Sequence, residues 1–421
     1  MRPLQVIAVA LCVLLNGLDG FDVLSISFAL PGIATEWGVD RAVLGVVLSM
    51  ELIGMAVGSI LIGNLADRIG RRPTVLGCLV VMALGMVLAS TAASVAQLAA
   101  YRLFTGLGIG GMLAAINAVA AENSNAARKN LMVGIMTAGY PIGAVVGGTI
   151  ATELLKGGDW RVVFHFGAIA TALFIPLVWW LMPETIAYLA QRRPANALDR
   201  INATLSRIGH ATLAGLPDPT DKAGTGSFRA LFAPDLIRTT LLLCLAYFTH
   251  IVTFYFVLKW SPKIVADMGF APSAAGGVLV WANVGGTLGA ILFSFLTTRF
   301  AIRPLLIGAM LASVVMVNLF GRIGADLQAL SFAAACVGFC TNAAVVGLYA
   351  LCAQCFPTAA RAGGTGLVIG VGRGGSVLSP ILAGVLLNAG AGLPAVATVM
   401  AVGSLVGAGT VLALRYRESV A

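Results

Sequence analysis

Apolar residues fill this chain in long runs, separated by short polar or basic segments. Runs of helical length for a bilayer fall at 5–31, 42–66, 74–93, 97–120, 131–153, 161–182, 238–258, 273–297, 303–321, 327–352, 363–388 and 393–414. Each predicts a transmembrane helix, because a helix needs about 20 apolar residues to cross the hydrocarbon core. Residues 183–237 interrupt the series with Arg192-Arg193-Pro194 and Leu216-Pro217-Asp218-Pro219, sequences that break helices. The pattern predicts an all-α membrane protein. Its expected parts are six helices over 1–182, a cytoplasmic linker over 183–237, and six helices over 238–421.

Charge inside such runs is the informative exception. Asp19-Gly20-Phe21-Asp22 places two acids three residues apart in the first run. On a helix they share a face. Charge at bilayer depth is costly and faces a bundle interior or a wet cavity. Two close acids repel, so at least one is expected to hold a proton. This is the chemistry of proton-coupled transport. Glu51 in the second run is a further proton-site candidate. His250 in the seventh stands 231 residues after Asp19 and is read either as a proton relay or as a satisfied core residue.

Composition agrees with the pattern. The 421 residues are 59% hydrophobic and 10% charged, where a soluble domain carries about 25% charge. The net charge of +9 reflects placement: with both termini in the cytoplasm, 18 Lys and Arg fall in cytoplasmic segments. Six fall outside, Arg41, Lys156, Arg161, Lys259, Lys263 and Arg322, and the remaining two, Arg102 and Arg373, fall within the runs. The positive-inside rule gives the orientation, and no aromatic-interleaved basic patch points to nucleic acid. The seven cysteines form no disulfide framework, and Cys352-x-x-Cys355 lacks evident metal or redox partners. The sequence contains no Walker A, H-E-x-x-H or G-x-S-x-G motif. No cofactor is expected, nor a metal.

The halves echo each other. Gly63–Pro73 after the second run matches Ser294–Pro304 after the eighth at Leu, Arg, Arg and Pro, 231 residues apart. Ala126-Ala127-Arg128 matches Ala359-Ala360-Arg361 at an offset of 233. Two echoes at nearly equal offsets suggest a duplicated six-helix unit.

The stretch Gly63-Asn64-Leu65-Ala66-Asp67-Arg68-Ile69-Gly70-Arg71-Arg72-Pro73 carries its own physics. Asp67 at a helix end suits a cation or a helix N-terminus. Arg68, Arg71 and Arg72 hold the loop on the cytoplasmic side, and the whole can act as a latch favouring one access state. The stretch resembles the G-x-L-a-D-R-x-G-R-R signature of the major facilitator superfamily. Arg102-Leu103-Phe104-Thr105-Gly106-Leu107-Gly108-Ile109-Gly110-Gly111 resembles the superfamily's fourth-span motif, with Arg102 either near the membrane face, among the gating residues, or pointing inward. Gly139-Tyr140-Pro141 with Gly143, Gly147 and Gly148 loosely resembles the fifth-span motif, and Pro183-Glu184-Thr185 the ending of the sixth. The resemblance implies twelve helices in two six-helix pseudo-repeat bundles working by alternating access.

Asp19-Gly20-Phe21-Asp22, the Arg102 motif, and Gly372-Arg373-Gly374-Gly375-Ser376 with Pro380 are similar to the aromatic acid:proton symporters of that superfamily. Glu51 departs from the expected small or apolar residue. The resemblance implies a monomeric inner-membrane importer of a benzoate-like or hydroxybenzoate-like acid. Muconate-like or nicotinate-like acids, or drug export, are the alternatives. Arg373 falls near mid-membrane and suits a carboxylate bidentately, either the substrate's or that of Asp22 or Glu51. Phe21, Tyr140, Tyr247, Phe254, Trp281 and Tyr349 are candidates to stack on an aromatic ring. Asn283, Asn342 and Asn117 are candidates for its polar groups.

Overall fold

The computed structural model describes residues 2–125, 129–216, 231–357 and 360–414. Among them the ordered elements are helices: α1 Pro3–Trp37, α2 Arg41–Ile69, α3 Arg71–Ser90, α4 Val95–Glu122, α5 Lys129–Leu154, α6 Arg161–Leu181, α7 Ile186–Arg192, α8 Ala197–Arg207, α9 Ile237–Asp267, α10 Pro272–Leu296, α11 Ile302–Phe320, α12 Leu327–Cys355, α13 Arg361–Asn388 and α14 Leu393–Ala413. Twelve of them, all but α7 and α8, are long and apolar enough to cross a membrane. Residues 217–230 of the expected linker, and 126–128 and 359 of the second echo, lie outside the described residues.

Local chemistry sets the helix ends. Ser94 caps α4 by accepting from Gln97 N at 3.3 Å, and Asp326 caps α12 by accepting from Gln328 N at 2.9 Å. Pro272 and Pro394 stand in the first turns of α10 and α14, where a missing N–H costs nothing. The largest departure from expectation is α9. It runs nine residues past the predicted end at 258, through Lys259 and Pro262. Lys259 and Lys263 were expected outside the helix. Lys259 is instead wholly buried, and Lys263 pairs with Asp267 one turn on.

The chain forms two compact units, Met1–Ser25 with Met50–Gly147 and Arg161–Ala223, and Ile26–Ser49 with Gly148–Trp160 and Gly224–Ala421. In the first, small residues bring backbones together. Gly17 and Gly20 of α1 face Gly143 and Tyr140 of α5, while Gly106 and Gly110 of α4 face the carbonyls of Glu51 and Met55 on α2. A β-carbon at Gly20, Gly143, Gly106 or Gly110 would overlap the facing backbone.

In the second unit α10 and α12 use the same device, with Gly285 against Ala335 and Gly338 against Ala282. The N-terminal part of α2 lies on α13. Gly45 faces the carbonyl of Pro380, and Ser49 Oγ donates to Val377 O at 2.7 Å. Arg41 Nη2 meets Asp267 Oδ2 at 3.0 Å, and Lys263 takes the other oxygen.

Candidate functional site

The first unit buries an acid–guanidinium cluster. Arg102 is fully buried on α4, one turn before Gly106. Because Gly106 admits the α2 backbone, the guanidinium reaches Glu51, also fully buried, and pairs with it through Nη2. Nη2 also donates to Asp22 O at 2.8 Å, and Nη1 to Met86 Sδ at 3.2 Å. The Phe164 ring lies under the guanidinium carbon at 5.4 Å. Asp22 is fully buried. Its Oδ2 accepts from Thr171 at 3.4 Å, its Oδ1 has no hydrogen-bond partner among the described residues, and its carboxyl feels the charges of Arg102 and Glu51. Asp19, 1% exposed, stands one turn earlier, within electrostatic reach of Cys78 on α3.

Asp19, Asp22, Glu51 and Arg102 thus occupy one buried region. Arg102, weighed as a gating residue, points inward and belongs with the acids. One guanidinium cannot balance three ionised carboxyls, and an unbalanced buried charge is expensive. The cluster is neutral when two of the carboxyls carry protons.

The α2–α3 loop forms a second cluster in the same unit. Arg71 bridges two acids: its Nη2 meets Asp67 Oδ1 and Glu122 Oε1, each at 3.0 Å, while Nη1 donates to Ala66 O at 3.1 Å. Arg72 stacks on Trp179 at 5.2 Å and donates to its carbonyl. Asp67 takes the cation, as one expected alternative had it. The helix N-terminus goes to Glu184, whose carboxylate accepts from Arg71 N at 3.0 Å and Arg72 N at 3.4 Å. Tyr188 on α7 donates to Arg68 O at 3.3 Å, and Arg192 Nε to Asp67 O at 2.8 Å.

Gly70 makes the turn at φ 109, ψ 159, a region open essentially to glycine, and a β-carbon there would fall on the Glu184 carboxylate. Gly70→Ala should therefore lower stability by about 1–3 kcal/mol. Thermal unfolding in detergent checks this; a wild-type midpoint would show that the loop relaxes without cost.

The second unit holds most of the other candidates. Tyr247 and Tyr349 meet hydroxyl to hydroxyl at 3.0 Å, and Arg373 acts electrostatically on Tyr349. His250 is fully buried, with Nδ1 at 2.9 Å from Ser404 Oγ and Nε2 at 3.0 Å from Thr341 O. Both ring nitrogens are occupied, as in the satisfied-core alternative. Asn283 bonds back to Leu279 O of its own helix at 2.9 Å, as Asn117 does to Leu113 O at 2.7 Å. Asn342 occupies the space left by Gly286. Trp281 is 53% exposed. In the first unit Phe21 is buried edge-to-face on Phe166 at 5.1 Å, and Tyr140 is half-buried with its backbone against Gly20.

Sequence reasoning missed Glu122, Glu184, Met86, Phe164 and Thr171 as partners. Only Glu184 carried a signal, through the Pro183-Glu184-Thr185 ending.

Residues 10–281 and 243–421 match the Major Facilitator Superfamily. The chain is 30% identical over 421 residues to a gallate transporter of Pseudomonas putida, covering 98% of this chain and 93% of that one. It is 30% identical over 390 residues to the 4-hydroxybenzoate transporter PcaK of the same organism, covering 91% and 86%. Among solved structures, a bacterial homolog of the human lysosomal transporter Spinster superposes with a TM-score of 0.76 at 16% identity, over 98% of this chain and 97% of that one. The xylose transporter XylE of E. coli gives 0.74 at 18% identity, over 96% of both chains. The chain belongs to the Major Facilitator Superfamily and is a multi-pass secondary transporter, not an enzyme.

Proposed function

We propose that this chain imports a small aromatic carboxylate together with protons, by alternating access, across a bacterial inner membrane with both termini in the cytoplasm. The observation that carries the reading is the buried Asp22–Arg102–Glu51 cluster in a chain related to transporters of gallate and 4-hydroxybenzoate. Such a cluster loads and releases protons as alternating access opens it to one side and then the other. Asp19 and Asp22 are the coupling acids, with Glu51 as the acid that Arg102 holds. His250 stands as the reserve candidate.

Residues 1–182 and 238–421 are the two halves that rock, joined by 183–237. The excess of Lys and Arg in the segments assigned to the cytoplasm supports the orientation. Asp67, Arg68, Arg71 and Arg72, braced by Glu184, latch the cytoplasmic gate. In the second unit, Arg41, Lys263 and Asp267, with Gly45 laid on α13, are the contacts that must part when the site opens to the other side. Arg373 holds the substrate carboxylate. Tyr247, Tyr349, Asn283 and Asn342 of the second unit are the candidates around its ring. The transporter is proposed to work as a monomer.

A thermal-shift screen tests the reading, because a ligand bound to the folded state raises its apparent stability. Benzoate, 4-hydroxybenzoate and gallate should raise the unfolding midpoint more than muconate, nicotinate or a cationic drug. Arg373→Lys keeps the charge and loses the planar fork, so the shift should shrink as affinity falls by about one to two decades. An unchanged shift in Arg373→Lys, or a larger one with a cationic drug, would count against the assignment.

A further inference from the structure

The hydroxyl pair of Tyr247 on α9 and Tyr349 on α12 is built with care. The two oxygens are 3.0 Å apart, and the ring centroids 5.7 Å. Tyr247 is 5% exposed, while Tyr349 is more open. The space Tyr247 fills exists because residue 372 is glycine: a β-carbon there would stand inside the ring. The next residue is Arg373, whose charge acts on the Tyr349 hydroxyl. So one glycine seats Tyr247, Tyr247 meets Tyr349, and Tyr349 stands within the field of Arg373.

Hydrogen counting gives this arrangement a purpose. Two phenol groups bring two O–H hydrogens, and their mutual contact uses one. The other is left to point at an acceptor. Beside a guanidinium, the acceptor that suits both groups is an anion. A carboxylate offers two oxygens with room for several donors.

We propose that Tyr349 and Arg373 together clamp the substrate carboxylate, and that Tyr247 is a positioning residue. Tyr247 donates its hydrogen to the Tyr349 oxygen. Tyr349 then donates its own to one carboxylate oxygen, and Arg373 donates to the carboxylate as well. The clamp reads the acid group and ignores substituents on the ring. The proposal rests on the reading of Arg373 as the substrate anchor.

The test is equilibrium binding of benzoate and of 4-hydroxybenzoate to the purified full-length protein in detergent. Tyr349→Phe removes the donor and keeps the ring. It should weaken both acids to the same degree, by about tenfold to a hundredfold, as expected for a lost hydrogen bond to a charged group. Tyr247→Phe should weaken both less, and should add nothing in a Tyr349→Phe background, which a merely structural role would not produce. Gly372→Ala should weaken binding in the wild type and have no such effect once Tyr247 is alanine.

If Tyr349→Phe binds both acids like wild type while Arg373→Lys does not, the clamp is wrong and the anchor stands. If both variants bind like wild type, the anchor falls with it. A loss confined to 4-hydroxybenzoate overturns the clamp in favour of a site that reads the ring hydroxyl. Should Tyr349→Phe not be recovered folded, Tyr247→Phe decides: equal weakening of both acids supports the clamp, and unchanged binding overturns it.

Discussion

Arg102→Ala should cost the folded protein about 3–5 kcal/mol, the expected price of breaking a buried ion pair from one side. The guanidinium has no exposed surface and holds four neighbours: Glu51, the Asp22 carbonyl, Met86 Sδ and the Phe164 ring. Truncation strands Glu51, equally buried, without its cation. Arg102→Lys keeps the charge but cannot reach carboxylate and carbonyl from one planar group, so it should fall between. The double variant Arg102→Met with Glu51→Gln removes both charges and should recover much of the lost stability, because apolar replacement of a buried pair is often neutral. It should not recover proton-driven transport. Thermal unfolding of the ligand-free protein in detergent reads all of these. A wild-type midpoint for Arg102→Ala would mean that the cluster bears no stability.

Asp22→Asn should abolish accumulation of substrate while leaving exchange. Asparagine mimics the protonated acid in shape and neutrality and cannot release a proton. Thr171 still has an oxygen to meet, at the 3.4 Å contact it now makes. Arg102 binds the Asp22 carbonyl rather than its side chain, so that bond survives the substitution. The variant should therefore fold, bind the acid and exchange labelled for unlabelled substrate across the membrane. Uptake against a concentration gradient should fall to background. Asp19 stands one turn earlier on the same helix face, so Asp19→Asn should give a related but distinct loss. If both single variants accumulate substrate normally, the coupling site lies elsewhere.

The fold was legible because lipid imposes it. Apolar runs of crossing length leave a helix few alternatives, and the twelve predicted spans recur with boundaries shifted by several residues. The misjudged boundary was at Lys259, where a charge suggested the helix had ended. A lysine buried to zero exposure inside α9 cannot be told from a loop lysine by sequence alone. The compact units likewise divide α1 at Ser25 and α2 at Ser49, inside continuous apolar runs where no composition shift marks a break.

The candidate residues were legible by type and not by pairing. Asp19, Asp22, Glu51 and Arg102 each announced themselves as charges in apolar sequence. That Arg102 pairs with Glu51, 51 residues earlier, follows from Gly106 letting α4 touch α2, and no local pattern encodes it. Glu184 reaches Arg71 across 113 residues in the same way. His250 was open between two roles because a histidine in a span looks the same in both; Ser404 and Thr341 distinguish its surroundings. Trp281 shows the opposite limit. Its ring was a stacking candidate by type, yet it is more than half exposed on α10.

In the proposed mechanism a proton gradient drives uptake of an aromatic carboxylate through this chain. The direct measurement is accumulation of labelled 4-hydroxybenzoate by proteoliposomes carrying the wild-type protein, with an imposed gradient acidic outside. Uptake should overshoot equilibrium and then decay as the gradient dissipates. A protonophore should reduce it to passive equilibration, while counterflow without a gradient persists. Overshoot that survives the protonophore, or equilibration at the same level with and without the gradient, would contradict that mechanism.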